Sequence, residues 1–191
     1  MRKMTKILAA AMLCAAINGC AGTVPILPYT PQNDMRYDYR NSVDMAAFTY
    51  LPALAGRMRE NQIQNTAAGS FYISTGVAEM VKRITALELE RSGLRLTDAA
   101  DMAVGGDVLE LKAADIGFSV DWTYAVRYKI FQGRKEIFSR VYSPPMKNTP
   151  KFGSLEDHAA RVHAVVLSGY DMFIRDPAVR RFLDVPPLQR K

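Results

Sequence analysis

The 191-residue chain has two cysteines, two histidines and one tryptophan. Both cysteines, Cys14 and Cys20, fall in the first twenty residues, so everything beyond them lacks a thiol for an internal disulfide or a thiolate metal site. The histidines, His158 and His163, are five residues apart, which on a helix turns them about 140° from each other instead of onto the shared face that a spacing of four gives. The G-x-S-x-G frame that exposes a nucleophilic serine on a strained turn is missing, and Ser168-Gly169 sits inside a helical pattern. Gly105-Gly106-Asp107 precedes a strand pattern and does not open a helix, so it lacks the free N–H groups that cradle phosphate and reads as a turn. Glu156, Asp157 and His158 are neighbours on a predicted helix and point in different directions. The sequence therefore offers no catalytic, cofactor-binding or metal-ligating set and calls for no cofactor. A binding or assembly part is the better reading than an enzyme.

What is present begins at the N-terminus. Arg2, Lys3 and Lys6 precede an uncharged apolar run from Ile7 to Ile17, shorter than the roughly 20 residues a bilayer-spanning helix requires. Ile17-Asn18-Gly19-Cys20 closes it. The order basic, apolar, small residue, cysteine resembles the signal of bacterial lipoproteins, from which Asn18 departs, since that position is more often Ala, Ser or Thr. The resemblance implies that residues 1–19 are a signal peptide, that cleavage falls before Cys20, and that Cys20 carries the acyl chains, palmitate among them, that anchor the protein. An ordinary secretory signal cut further on, or an uncleaved anchor, are the alternatives. Ala21 stands where an Asp marks inner-membrane retention in Gram-negative lipoproteins, so the resemblance implies an outer-membrane anchor facing the periplasm. Losing the three basic signal residues takes the formal charge from +6 to +3, a mild excess that does not argue for nucleic acid.

Residues 20–42 follow, with Pro25, Pro28 and Pro31 and then a polar, tyrosine-containing stretch. They read as an extended tether that lifts the body from the membrane. A single domain is expected over 43–185, and a frayed tail over 186–191. Within the domain a strand is expected from Met45 to Leu51 and a polar loop around Gln62. A helix is expected after Ser74, its buried face formed by Val77, Met80, Val81, Ile84 and Leu87 and its end set by Gly93. Phe118, Val120, Trp122, Tyr124, Val126, Tyr128 and Ile130 occupy alternate positions of the strongest strand pattern, either as core or as a stacking platform. Glu136 to Tyr142 returns as its hairpin partner. Ser154 and Asp157 resemble a capping box, and Leu155, Ala159, Val162, Val166, Gly169 and Phe173 form the stripe of a second helix that ends before Pro177. The expected fold class is α+β, an antiparallel meander sheet with two amphipathic helices packed on one face.

Several of these segments also carry a resemblance: Val77-Ala78-Glu79-Met80-Val81 through Leu89-Glu90-Arg91-Ser92-Gly93, Gly106-Asp107-Val108, the long hairpin, and the helix ending at Asp176-Pro177. Together they resemble small periplasm-facing lipoproteins that assist envelope transport and assembly, such as the auxiliary lipoproteins of ABC-type lipid transport systems. The resemblance implies a non-catalytic accessory whose partners are the membrane, through Cys20, and an envelope protein complex, with lipid as a further candidate. The alternative is a subunit of a secretion, conjugation or surface-appendage machine. An envelope hydrolase is a third reading, and it requires a polar cleft joining distant acidic residues to His158 or His163.

Overall fold

The computed structural model describes residues 23–25, 28–37, 39, 41–65 and 71–183. The signal stretch, Cys20 and the tail over 186–191 lie outside them.

The sheet is built around a long hairpin. In β7 (Ser119–Gln132) the even positions from Val120 to Ile130 are buried and the odd ones from Ser119 to Phe131 half-buried, the period of two that one covered face imposes. β6 (Met102–Ile116) runs antiparallel to it, from Met102 opposite Gln132 to Ile116 opposite Ser119. The far edge of β7 is shared by β8 (Lys135–Tyr142) and, nearer the hairpin tip, β9 (Lys147–Pro150), both antiparallel. The far edge of β6 is likewise divided: β2 (Ser42–Tyr50) lies along Met102 to Val108, and β3 (Gln62–Asn65) lies along Lys112 and Ala113, both parallel to it. Beyond β2 comes β5 (Arg95–Leu96), parallel. Beyond β3 come β4 (Phe71–Ile73), antiparallel to it, and then β1 (Thr23–Val24), parallel to β4.

The sheet, nine-stranded among the described residues, is therefore mixed, which corrects the expected antiparallel meander. Alternation along a strand records which face is covered but not which way its neighbour runs. The parallel pairs join segments far apart in sequence that only crossovers bring together. A second correction concerns Gly105-Gly106, which is strand interior and not a turn. A Cβ on Gly106 would stand 2.4 Å from the Arg127 carbonyl oxygen, so the glycine admits a close strand neighbour. The expected polar loop holds β3, and the segment after Pro145 holds β9.

Four helices accompany the sheet among the described residues: α1 (Leu51–Leu54), α2 (Val77–Arg91), α3 (Leu155–Arg175) and α4 (Pro177–Phe182). The covered face of β7 meets two of them. Tyr128 pairs with Thr85 of α2, hydroxyl to hydroxyl, at 3.1 Å, and its ring stacks on Phe173 of α3 at 4.3 Å. Val77, Met80, Val81 and Ile84 of α2 are buried, as are Ala159, Val162, Val166 and Phe173 of α3. The aromatic face is core: Trp122 is buried and donates from Nε1 to Thr149 Oγ1 at 3.0 Å. Phe118 departs from that pattern, lying in the turn beyond the end of β7. α3 opens on a complete capping box, with Asp157 N–H donating to Ser154 Oγ and Ser154 N–H donating to Asp157 Oδ2.

Gly169 brings α3 close against β7. In an exposed helix Gly→Ala gains about 1 kcal/mol, but here the added Cβ would lie 2.5 Å from the Tyr124 ring. Overpacking of this kind costs about 1–3 kcal/mol, so Gly169→Ala is expected to lower the melting temperature. An unchanged or raised value in a thermal unfolding scan would contradict the packing.

Asp176 ends α3 and caps α4. Its Oδ1 accepts from Ala178 N–H at 2.8 Å, and its Oδ2 accepts from the Tyr142 hydroxyl at 2.7 Å and from Arg140. Burial works against the ionised form, but the Tyr142, Ala178 and Arg140 donors outweigh it and hold the carboxyl below its ordinary value. A group depressed on folding stabilises above its unfolded pKa and ceases to do so as pH falls through the folded one. Asp176→Asn should therefore be less stable than the native chain at neutral pH, with the gap closing below pH 3.8 in denaturant titrations.

Candidate functional site

The site is organised by a residue that the sequence reading passed over. Glu88 lies on the buried stripe of α2, four residues after Ile84 and seven after Val81, and is fully buried. An unpartnered buried carboxylate costs several kcal/mol, so its donors must be built in. They come from residues 28–37. The Tyr29 hydroxyl donates to Oε1, the Gln32 amide donates to Oε1 at 2.8 Å, and the Asn33 amide donates to Oε2 at 3.1 Å.

One turn on, Ser92 extends the clasp. Its hydroxyl donates to the Glu88 carbonyl at 2.7 Å, receives Asn33 Nδ2 at 3.1 Å and lies 2.9 Å from the Tyr170 hydroxyl of α3, which fills the one-donor, two-acceptor capacity of a hydroxyl. The Ser92 carbonyl accepts the Tyr37 amide at 2.9 Å. Gly93 makes this approach possible. Its φ is +101°, and a Cβ there would meet the Tyr37 carbonyl oxygen at 2.6 Å. Arg180 of α4 closes the far end, with its guanidinium 5.2 Å from the Tyr37 ring centroid and Nη2 donating to the Tyr37 hydroxyl at 3.2 Å. Residues 28–37, which fall within the expected tether over 20–42, are thus fastened to the domain. Prolines set a local conformation but do not say whether a surface waits for it. The polar face of Tyr29, Asn33 and Tyr37 finds its partners on α2 and α4.

The clasp also forms one wall of a cleft. Tyr29 packs edge-on against His163, ring centroids 5.1 Å apart, and the cleft of about 260 Å³ beside them is lined further by Ser74, Glu79, Met80 and Arg83. His163 is 6% exposed, and its Nε2 is buried without a hydrogen-bond partner. Burial holds the imidazole pKa below its ordinary value, so the ring is neutral near pH 7. Burial likewise raises the Tyr29 hydroxyl, with the bond to Glu88 adding to the effect, so it stays protonated and donating. A larger groove of about 620 Å³ lies on the other side of the start of α2, between Phe48, Tyr50, Leu54 and Lys82.

The other residues singled out in the sequence are scattered. His158 is half-buried beside the Phe71 ring, with centroids 6.5 Å apart. Asp157 is the N-terminal cap of α3, and Ser168 donates to the Val165 carbonyl within the same helix. Among the described residues no group of three or more His, Cys, Asp or Glu side chains is placed to hold a metal ion, and no helix is long and apolar enough to cross a membrane.

No family model matches the chain, and no curated protein does. Among solved structures the fold is similar to that of protein XCC0632 from Xanthomonas campestris, of the family DUF330, with a TM-score of 0.57 at 12% identity over 80% of this chain and 92% of that one. More distant are the PelC dodecamer from Paraburkholderia phytofirmans (TM-score 0.38, 14% identity, 72% and 93% of the two chains) and a minor lipoprotein from Acinetobacter baumannii (TM-score 0.37, 13% identity, 68% and 98%). The first likeness is one of chain path; the other two lie below the similarity at which a common fold is inferred.

Removing the Glu88 carboxylate leaves two amides and the Tyr29 hydroxyl without an acceptor, at about 1.5–3 kcal/mol for each bond to a charged group. Glu88→Ala should lose hydrogen-exchange protection at the Gln32 and Asn33 amides, and residues 28–37 should become protease-sensitive. Protection equal to that of the native chain would show that the clasp does not rest on Glu88.

Proposed function

We propose that this protein is a membrane-anchored bacterial lipoprotein, acylated on Cys20, that serves as a non-catalytic binding or assembly accessory of an envelope transport complex. The observation that carries this reading is the clasp. Residues 28–37 are bound to α2 and α4, and Thr23–Val24 form an edge strand, so the folded body begins three positions after Cys20. A domain seated this close to its anchor works at the membrane surface, where a transport complex would meet it. The similarity in chain path to XCC0632 fits such a body, and the outer-membrane placement rests on Ala21. The His163 cleft suits recognition of a small polar or partly apolar group: its wall combines a neutral imidazole, Tyr29 and Met80.

Cys20→Ser tests the anchor. The pairing that holds the N-terminal segment begins at Thr23, beyond the cysteine, so this variant should leave the membrane pellet and appear in the soluble exported fraction with an unchanged melting temperature. A variant that still sediments with membranes would show that acylation of Cys20 is not the anchor. Crosslinking the anchored protein in its own cells then tests the complex. Transporter or lipid-trafficking subunits in the product support the accessory reading, whereas secretion or appendage subunits favour the alternative.

A further inference from the structure

The hairpin tip carries two large aromatic side chains that the fold does not use. Phe118, after Gly117 in the β6–β7 turn, is 83% exposed, and Phe152, in the loop between β9 and α3, is 70% exposed. Their ring centroids are 6.4 Å apart. Isolated exposed apolar residues are ordinary, but here two loops are tied together to present an adjacent pair. The Lys151 amide donates to the Phe118 carbonyl at 2.9 Å, Lys151 Nζ pairs with Asp115 at 2.9 Å, and Arg161 of α3 reaches back to the Pro150 and Phe152 carbonyls.

The path of the chain indicates what lies opposite. β3 runs parallel to β6, β4 runs antiparallel to β3, and β1 runs parallel to β4. The chain therefore enters β1 from the end of the sheet where β6 finishes, which is the end bearing Phe118. Thr23 is level with Tyr72, and Tyr72 with Gln62, two residues short of Gln64 opposite Lys112. Thr23 thus sits about eight residues, ~25 Å, behind Phe118 along the strands. Three residues of chain link Thr23 to Cys20, a reach of at most about 10 Å. Three strand spacings, ~15 Å, separate β1 from β6 sideways.

We propose that Phe118 and Phe152 seat in the interfacial layer of the lipid bilayer, as a second membrane contact beside the acylated Cys20. This rests on the lipoprotein reading above. A reach of that length allows the acyl anchor and the tip rings to meet one plane when the strands tilt about 45° to it, and two such contacts fix the domain's orientation. The chemistry is that of an apolar ring entering the boundary between headgroups and acyl chains.

The test uses the lipidated full chain in phosphatidylcholine vesicles whose acyl chains are brominated. Phe118→Trp and Phe152→Trp replace exposed rings and should leave the melting temperature unchanged. Arg134→Trp, in the exposed β7–β8 turn at the opposite end of the sheet, is the control. The core Trp122 supplies the same background in all three chains. Relative to unbrominated vesicles, emission of the Phe118→Trp and Phe152→Trp chains should be quenched, whereas that of the Arg134→Trp chain should not. Mass spectrometry of Cys20 separates the two ways of failing. A chain without acyl groups overturns the lipoprotein reading, and this proposal with it. An acylated, vesicle-bound chain in which the tip variants are quenched no more than the control overturns the proposal alone, and points to a protein partner or a second copy of the chain at the tip.

Discussion

The buried carboxylate of Glu88 is the constraint on which the arrangement of this protein turns. It stands on a helix face whose other buried residues are Val77, Met80, Val81, Ile84, Thr85 and Leu89. Such a group is tolerated only when its oxygens are occupied, and the occupants are the Tyr29 hydroxyl and the amides of Gln32 and Asn33. Helix and N-terminal segment therefore need each other: the segment has little apolar surface of its own with which to fold, and the helix buries a charge it cannot satisfy alone. Ser92, Gly93 and Arg180 repeat the arrangement along the next turns, so the segment is held at several points over its length.

From that clasp follows the relation between the body and whatever precedes it in the chain. A lipoprotein domain on a long flexible leash samples the space above its membrane, whereas one clasped up to its first strand is confined to the surface. The sheet topology adds a direction. β1 is entered from the tip end of the sheet, and the surface there shows adjacent exposed rings.

Much of the domain is written in local pattern. The alternation from Val120 to Ile130 is β7, the return from Lys135 to Tyr142 is β8, the Ser154–Asp157 capping box opens α3, and Gly93 ends α2 with its positive φ. What could not be read there depends on partners distant in sequence. β2 and β3 pair in parallel with β6 across intervening helices and strands, so the meander expectation had the sheet's edges wrong. Gly105-Gly106 carries the composition of a turn but meets Ala46, Phe48 and Arg127 across the strands. Glu88 was legible in principle, since a charged residue at i+4 and i+7 of an apolar stripe is a departure that asks for a partner. The partner itself, a proline-bearing segment more than fifty residues earlier, has no local signature of docking.

The most direct test of this account is the height of the domain above the bilayer, measured by neutron reflectometry on the lipidated chain at a supported membrane. If the clasp holds, the protein layer begins at the headgroups, with no hydrated gap. If residues 20–42 were instead an extended proline-rich leash at ~3.1 Å per residue, the chain could stand off by up to about 70 Å. A water-filled layer of tens of ångströms between membrane and protein would contradict the account.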